Sequence, residues 1–214
     1  MKKVNLIIVL CILFTLSTWF LNPGFVSEYL VFSGANLLQG RVWTLCTALF
    51  VHADLIHLVG NMIFLYIFGN TLEDEVKPAR TLSAFFIGGV TAFLLSVFFY
   101  GSDVSMVGAS AAIFTLTAVV MLVKPLRFSF LFMMPLGLVA ILYFIYNFLA
   151  VHYMIQGNVA YISHAIGFAL GLPFGIAWSK NWKRNLLITF GLLILYLLLQ
   201  LYLIPKILEQ VSFL

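Results

Sequence analysis

The run Val107-Gly108-Ala109-Ser110-Ala111-Ala112-Ile113-Phe114 decides how the rest of the chain is read. One serine stands among small residues at the head of an apolar stretch. Inside a membrane span, small residues let a second helix, or a substrate, approach closely. By itself such a serine is ordinary packing glue between helices. Its meaning depends on what the other spans bring to the same depth.

Outward from that run, the whole chain is built for a bilayer. Of its 214 residues, 64% are hydrophobic and 8% charged, and the mean hydropathy is +1.13. Soluble domains are about 45–50% apolar and about 25% charged, so a soluble core is excluded. The net charge of +4 comes from basic residues scattered singly and in pairs between apolar runs. That is a topology pattern, and no nucleic-acid partner is expected. Cys11 and Cys46 have no metal-ligand spacing, and neither a metal nor a cofactor is expected. Met1-Lys2-Lys3 precedes an apolar run with no small-residue cleavage site after it, which reads as a retained first span.

Apolar runs of roughly 17–25 residues can cross a bilayer. They predict seven helices: Asn5 to Leu21, Leu55 to Asn70, Leu82 to Tyr100, Val107 to Val123, Leu136 to Val151, Ile162 to Trp178 and Asn185 to Ile204. Pro135 is expected in the first turn of the fifth, and Pro173 should kink the sixth. Residues 22–54 are too interrupted to span and too apolar to be a free linker, so they should lie partly in the interface. Phe128 to Met134 should lie along the surface. Glu73-Asp74-Glu75 reads as a turn, which leaves no acidic residue in any span. The fold class predicted is an all-α membrane protein with neither an internal repeat nor a linker. Residues 1–178 form a six-helix core, and 179–214 a cytoplasmic turn and a seventh, C-terminal span. Nine basic residues fall on the N-terminal side of these spans and two, Arg41 and Lys206, on the other. That bias places the N-terminus in the cytoplasm.

The second, fourth and sixth spans then start on the outer side. His57 and Asn61 fall in the first two turns of the second, Ser110 in the first turn of the fourth, and His164 in the first turn of the sixth. At 1.5 Å per residue each lies within roughly 10 Å of its span's outer end. His57 and Asn61, four apart, share one face. His164 shares a face with Gly167, Gly171 and Gly175, a stripe that allows close approach to a neighbour. The side of the fourth span bearing Ala111, Thr115 and Ala118 suits that stripe, and the contact would bring His164 towards Ser110.

Chemically this is a Ser–His dyad. A serine hydroxyl is a poor nucleophile until a base takes its proton, which an imidazole does near neutral pH. The oxyanion formed at a peptide carbonyl needs preorganised donors, and His57, Asn61 and the Ser110 N–H at a helix N-terminus are suitable. Asp54 and Asp103 lie in loops, so nothing obvious completes a triad. His52 precedes the second span and reads as a loop or interface residue.

These residues resemble those of the rhomboid intramembrane serine proteases. Gly108-Ala109-Ser110-Ala111 is similar to that family's GxSG, and His52, His57 and Asn61 fit its HxxxxHxxxN. His164, Gly167 and Gly171 fit its His-xx-Gly-xxx-Gly. The resemblance runs from about Asn5 to Trp178 and implies Ser110 as nucleophile, His164 as general base, and His57 and Asn61 as oxyanion partners. It implies a six-helix bundle, the last span resembling the extra helix of six-plus-one forms. It also implies transmembrane protein substrates met in the lipid bilayer, at a site opening to the extracytoplasmic side. Three positions depart from the family. Ala111 replaces the second glycine and slightly crowds the nucleophile; Trp43 is followed by Thr44, with Arg41 two residues before it; and Phe114 stands where a tyrosine is common, able to pack on His164 but without a hydroxyl. The competing readings are an inactive relative that binds membrane clients, which would be expected to lose Ser110 or His164, and a small-solute transporter, which usually shows broken helices and deep charges. HExxH and a pair of aspartates within the spans, the marks of other intramembrane proteases, are missing. The client and the oligomeric state are not legible.

Overall fold

A computed structural model describes residues 2–154, 160–203 and 205–206. The chain forms an all-α bundle around one short, buried helix. The first helix, α1 (Lys3–Thr18), is followed by three short ones, α2 (Pro23–Tyr29), α3 (Gly34–Leu38) and α4 (Thr44–Thr47). The interrupted stretch expected as a loop is therefore partly helical. The reasons are local: Asn22 caps α2 just ahead of Pro23, and Ser33 caps α3. Arg41 stacks on Tyr29 and pairs with Glu28, while the Trp43 indole donates to the Tyr29 carbonyl at 2.9 Å. Those two residues fold this segment.

The second span runs from Leu55 to Val76, six residues beyond its expected end. It consists of α5 (Leu55–Phe64), a π-helical segment Leu65–Gly69, and α6 (Asn70–Val76). Glu73 consequently lies inside a span, contrary to the expectation, and its burial has a purpose. Its carboxylate accepts from the Lys3 N–H at 2.8 Å and the Val4 N–H at 2.9 Å, capping the otherwise uncapped start of α1.

Then come α7 (Pro78–Tyr100), α8 (Ser110–Val123), a two-residue hairpin, β1 (Phe128–Ser129) with β2 (Met134–Pro135), α9 (Leu136–His152), α10 (Tyr161–Trp178) and α11 (Trp182–Leu198). The π segment Leu199–Leu203 follows α11. Pro135 is extended and precedes α9, correcting its expected place in the first turn. Phe128 to Met134 folds back as the hairpin, with Phe130, Leu131 and Met133 exposed. Among the described residues, four helices, Leu55–Val76, Pro78–Tyr100, Tyr161–Trp178 and Trp182–Leu203, are long and apolar enough to cross a membrane. Lys3–Thr18, Ser110–Val123 and Leu136–His152 are shorter apolar helices beside them.

Helix α8 is buried on every side from Ala111 to Leu122, as a helix that is apolar all round must be. It starts three residues later than expected, because Gly108 has φ +103° and cannot continue a helix backwards. At 14 residues it is about 21 Å long, against a hydrocarbon core of about 30 Å. A helix that short does not reach from one face of the hydrocarbon core to the other. Helix α10 packs on α8 more extensively than any other pair. A Cβ on Gly167 would strike the Ala111 carbonyl oxygen, and one on Gly171 the Thr115 carbonyl oxygen. The Thr115 hydroxyl donates to the Gly167 carbonyl at 2.8 Å. At the other end, Asn185 of α11 donates to the Leu122 and Val123 carbonyls, capping α8.

Candidate active site

Ser110 is the first residue of α8, and its hydroxyl lies 2.7 Å from His164 Nε2. The glycine contact brings these side chains together, since Gly167 sits one turn below His164 against the Ala111 backbone. The start of α10 is itself held by the Tyr100 hydroxyl of α7, which accepts from the Ile162 N–H at 3.0 Å. Phe114 stacks on the His164 ring, with centroids 4.6 Å apart and planes at 13°. Tyr143 stacks on the far side of Phe114 at 4.4 Å. His164 is buried, and Ser110 is partly exposed.

His57 and Asn61 meet over Gly108. A Cβ there would lie 2.7 Å from His57 Cε1, 2.8 Å from its Nε2 and 3.7 Å from Asn61 Nδ2. The Ala53 N–H points at His57 Nδ1 at 3.4 Å, which leaves the ring proton on Nε2, directed over Gly108. Asn61 Nδ2 gives one hydrogen to the His57 carbonyl at 3.0 Å and has a second free. The Asp54 carboxylate caps α5 at the His57 N–H and takes no part in the dyad. The Ser110 N–H is in the first turn of α8, where no carbonyl of the helix reaches it. His57 Nε2 and Asn61 Nδ2 thus come together over Gly108, two residues before Ser110.

Two residues that sequence reasoning left aside complete the surroundings. His52 lies in the loop ahead of α5, as expected, but it is buried there, 2% exposed. Its Nε2 accepts from the Ala109 N–H at 3.4 Å, so Nδ1 carries the proton and donates to Thr15 at 3.1 Å, and the Thr15 hydroxyl passes its own hydrogen to the Phe50 carbonyl at 3.0 Å. This directed chain needs a neutral imidazole. Burial pushes His52 down to about 4, with His57 adding to the effect. The other is Asn147 of α9, whose Oδ1 lies 2.7 Å from His164 Nδ1. A lone amide in an aromatic run, 17 positions from the histidine, was its only trace in the sequence.

Comparison with known proteins points one way. The family model described as Rhomboid domain matches residues 39–181. Rhomboid-related protein 1 of Caenorhabditis elegans is 30% identical over 160 residues, 71% of this chain and 44% of that protein. Rhomboid-like protein 11, chloroplastic, of Arabidopsis thaliana is 41% identical over 78 residues, 36% of this chain and 28% of its own length. Rhomboid-like protease 2 of Toxoplasma gondii is 31% identical over 96 residues, 43% of this chain and 34% of that protein. The chain thus spans less than half the length of each of these relatives.

Proposed function

The chain belongs to the rhomboid family, and from that premise we propose that it is an intramembrane serine endopeptidase. The observation that carries the proposal is the 2.7 Å contact of Ser110 Oγ with His164 Nε2, at the N-terminal end of α8. The chemistry follows from the atoms present. His164 Nε2 accepts the Ser110 proton as Oγ attacks a peptide carbonyl. The oxyanion forms beside Gly108, where the Ser110 N–H, His57 Nε2–H and Asn61 Nδ2–H converge. The imidazolium returns its proton to the departing amine. Water then repeats the sequence on the acyl-enzyme, with His164 again the base.

The substrates are membrane proteins whose transmembrane segment can leave its helix near the cut, because a regular helix keeps its carbonyls occupied. The nine-to-two distribution of basic residues supports an N-terminus in the cytoplasm and a site opening to the opposite face. A fluorophosphonate probe on the purified protein tests the chemistry. Labelling is expected at Ser110, lost in Ser110→Ala and in His164→Ala, with cleavage of a transmembrane peptide lost in parallel. An unlabelled wild-type protein that still folds and retains a membrane client would replace this reading with that of an inactive binding protein.

A further inference from the structure

The hydrogen bonds around His164 determine which of its nitrogens carries the proton. Asn147 Nδ2 donates to the Tyr143 carbonyl at 2.8 Å, so the amide cannot be turned round without setting two oxygens against each other. Its Oδ1 is therefore the atom facing His164 Nδ1 at 2.7 Å. An acceptor there requires the imidazole proton on Nδ1. Nε2 is then left with a lone pair, 2.7 Å from the Ser110 hydroxyl. Asn147 is 1% exposed, so water does not compete for either bond.

We propose that Asn147 is a positioning residue of the reaction, completing a Ser110–His164–Asn147 relay from three different helices. The inference rests on the reading of His164 as base. Asn147 holds the ring in one tautomer and one orientation, with Phe114 on its face. It stabilises the Nδ1–H of the imidazolium through the amide dipole and takes up no proton itself. Because it belongs to α9, the base is held from both α8 and α9, and a shift of α9 would loosen the base without touching Ser110.

The test uses cleavage of a transmembrane peptide in liposomes, fluorophosphonate labelling, and the pH dependence of both. The titratable groups around the imidazole are His57 of α5 and Tyr161 of its own helix, with Tyr143 of α9 behind Phe114. Asn147→Ala should lower kcat about 10- to 100-fold, a part of the roughly 10²–10⁴ that a general base supplies, with KM within about threefold. Asn147→Asp, equal in size, should keep most activity and move the acid limb of the profile to higher pH, because a carboxylate favours the imidazolium. An unchanged kcat in Asn147→Ala, beside an inactive His164→Ala, overturns the inference alone. Full labelling in His164→Ala overturns the base and this inference together. If Asn147→Ala fails to fold, the acid limb of Asn147→Asp decides: a shift upward supports the relay, and no shift refutes it.

Discussion

Gly108 carries two constraints at a single position. Its φ of +103° is one that L side chains rarely adopt, and a methyl group there would press into the His57 ring 2.7 Å away. Gly108→Ala should therefore cost stability as well as activity, lowering kcat by about 10²–10³ in the protein that still folds if His57 no longer reaches the oxyanion. Gly60, in the same helix as His57, has open space where its Cβ would go. Gly60→Ala should leave kcat unchanged and stabilise by up to about 1 kcal/mol. Parallel kinetics and melting curves separate the two; equal effects would remove the special role of Gly108. His52 gives a residue-scale dependence on pH. It ionises at about 4 in the folded protein, below the ordinary 6.5, so the unfolded chain binds more protons between those values. Its contribution to stability is complete above pH 6.5 and is lost as pH falls towards 4. Melting temperatures at pH 7 and pH 4.5 should differ less in His52→Phe than in the wild type, and an identical difference would show that His52 does not titrate as described.

At the scale of elements, the helices hold one another's ends, and this is where sequence and structure part company. The apolar runs, the glycine stripe of α10 and the shared face of His57 and Asn61 were legible because each follows from local periodicity. Asn147, His52 and Glu73 were not, since each acts on an element remote in sequence: α10, α8 and α1. Nothing in their own neighbourhoods announces the partner. The Asn22-Pro23 cap of α2 was legible in principle, but it was hidden by the low polarity of the segment around it. The Glu73 cap makes the point measurable. Glu73→Ala leaves the Lys3 and Val4 N–H groups without their acceptor, which should cost about 1–3 kcal/mol of stability. Probe labelling at Ser110 below the melting temperature should be untouched, because the cap is at the opposite end of the bundle from the dyad. A loss of labelling in the still-folded variant would contradict this separation.

The whole molecule is a bundle whose most buried helix is shorter than the other spans around it. Ser110 lies at the end of α8 next to the α7–α8 connection, and Lys180 follows the far end of α10. On the orientation proposed from the basic residues, Asp103→Cys should react with a membrane-impermeant maleimide on intact cells. Lys180→Cys should react only after permeabilisation, both in a background lacking Cys11 and Cys46. The reverse pattern would turn the protein over in the membrane and with it the side proposed for cleavage.

The π-helical stretch Leu65–Gly69 also fixes how the chain tolerates a change in length. Its hydrogen bonds close one residue wider than in an α-helix, so it stores a surplus residue between the half of the span bearing His57 and the half bearing Glu73. Removing a residue from a plain α-helix such as α7 would turn one half against the other by about 100°. Removing Tyr66, exposed within the stretch, lets it rewind as plain α-helix with both halves in their original phase. A Tyr66 deletion should therefore keep fluorophosphonate labelling where an Ile87 deletion within α7 abolishes it, and equal loss in the two would show that the stretch is not a spare link.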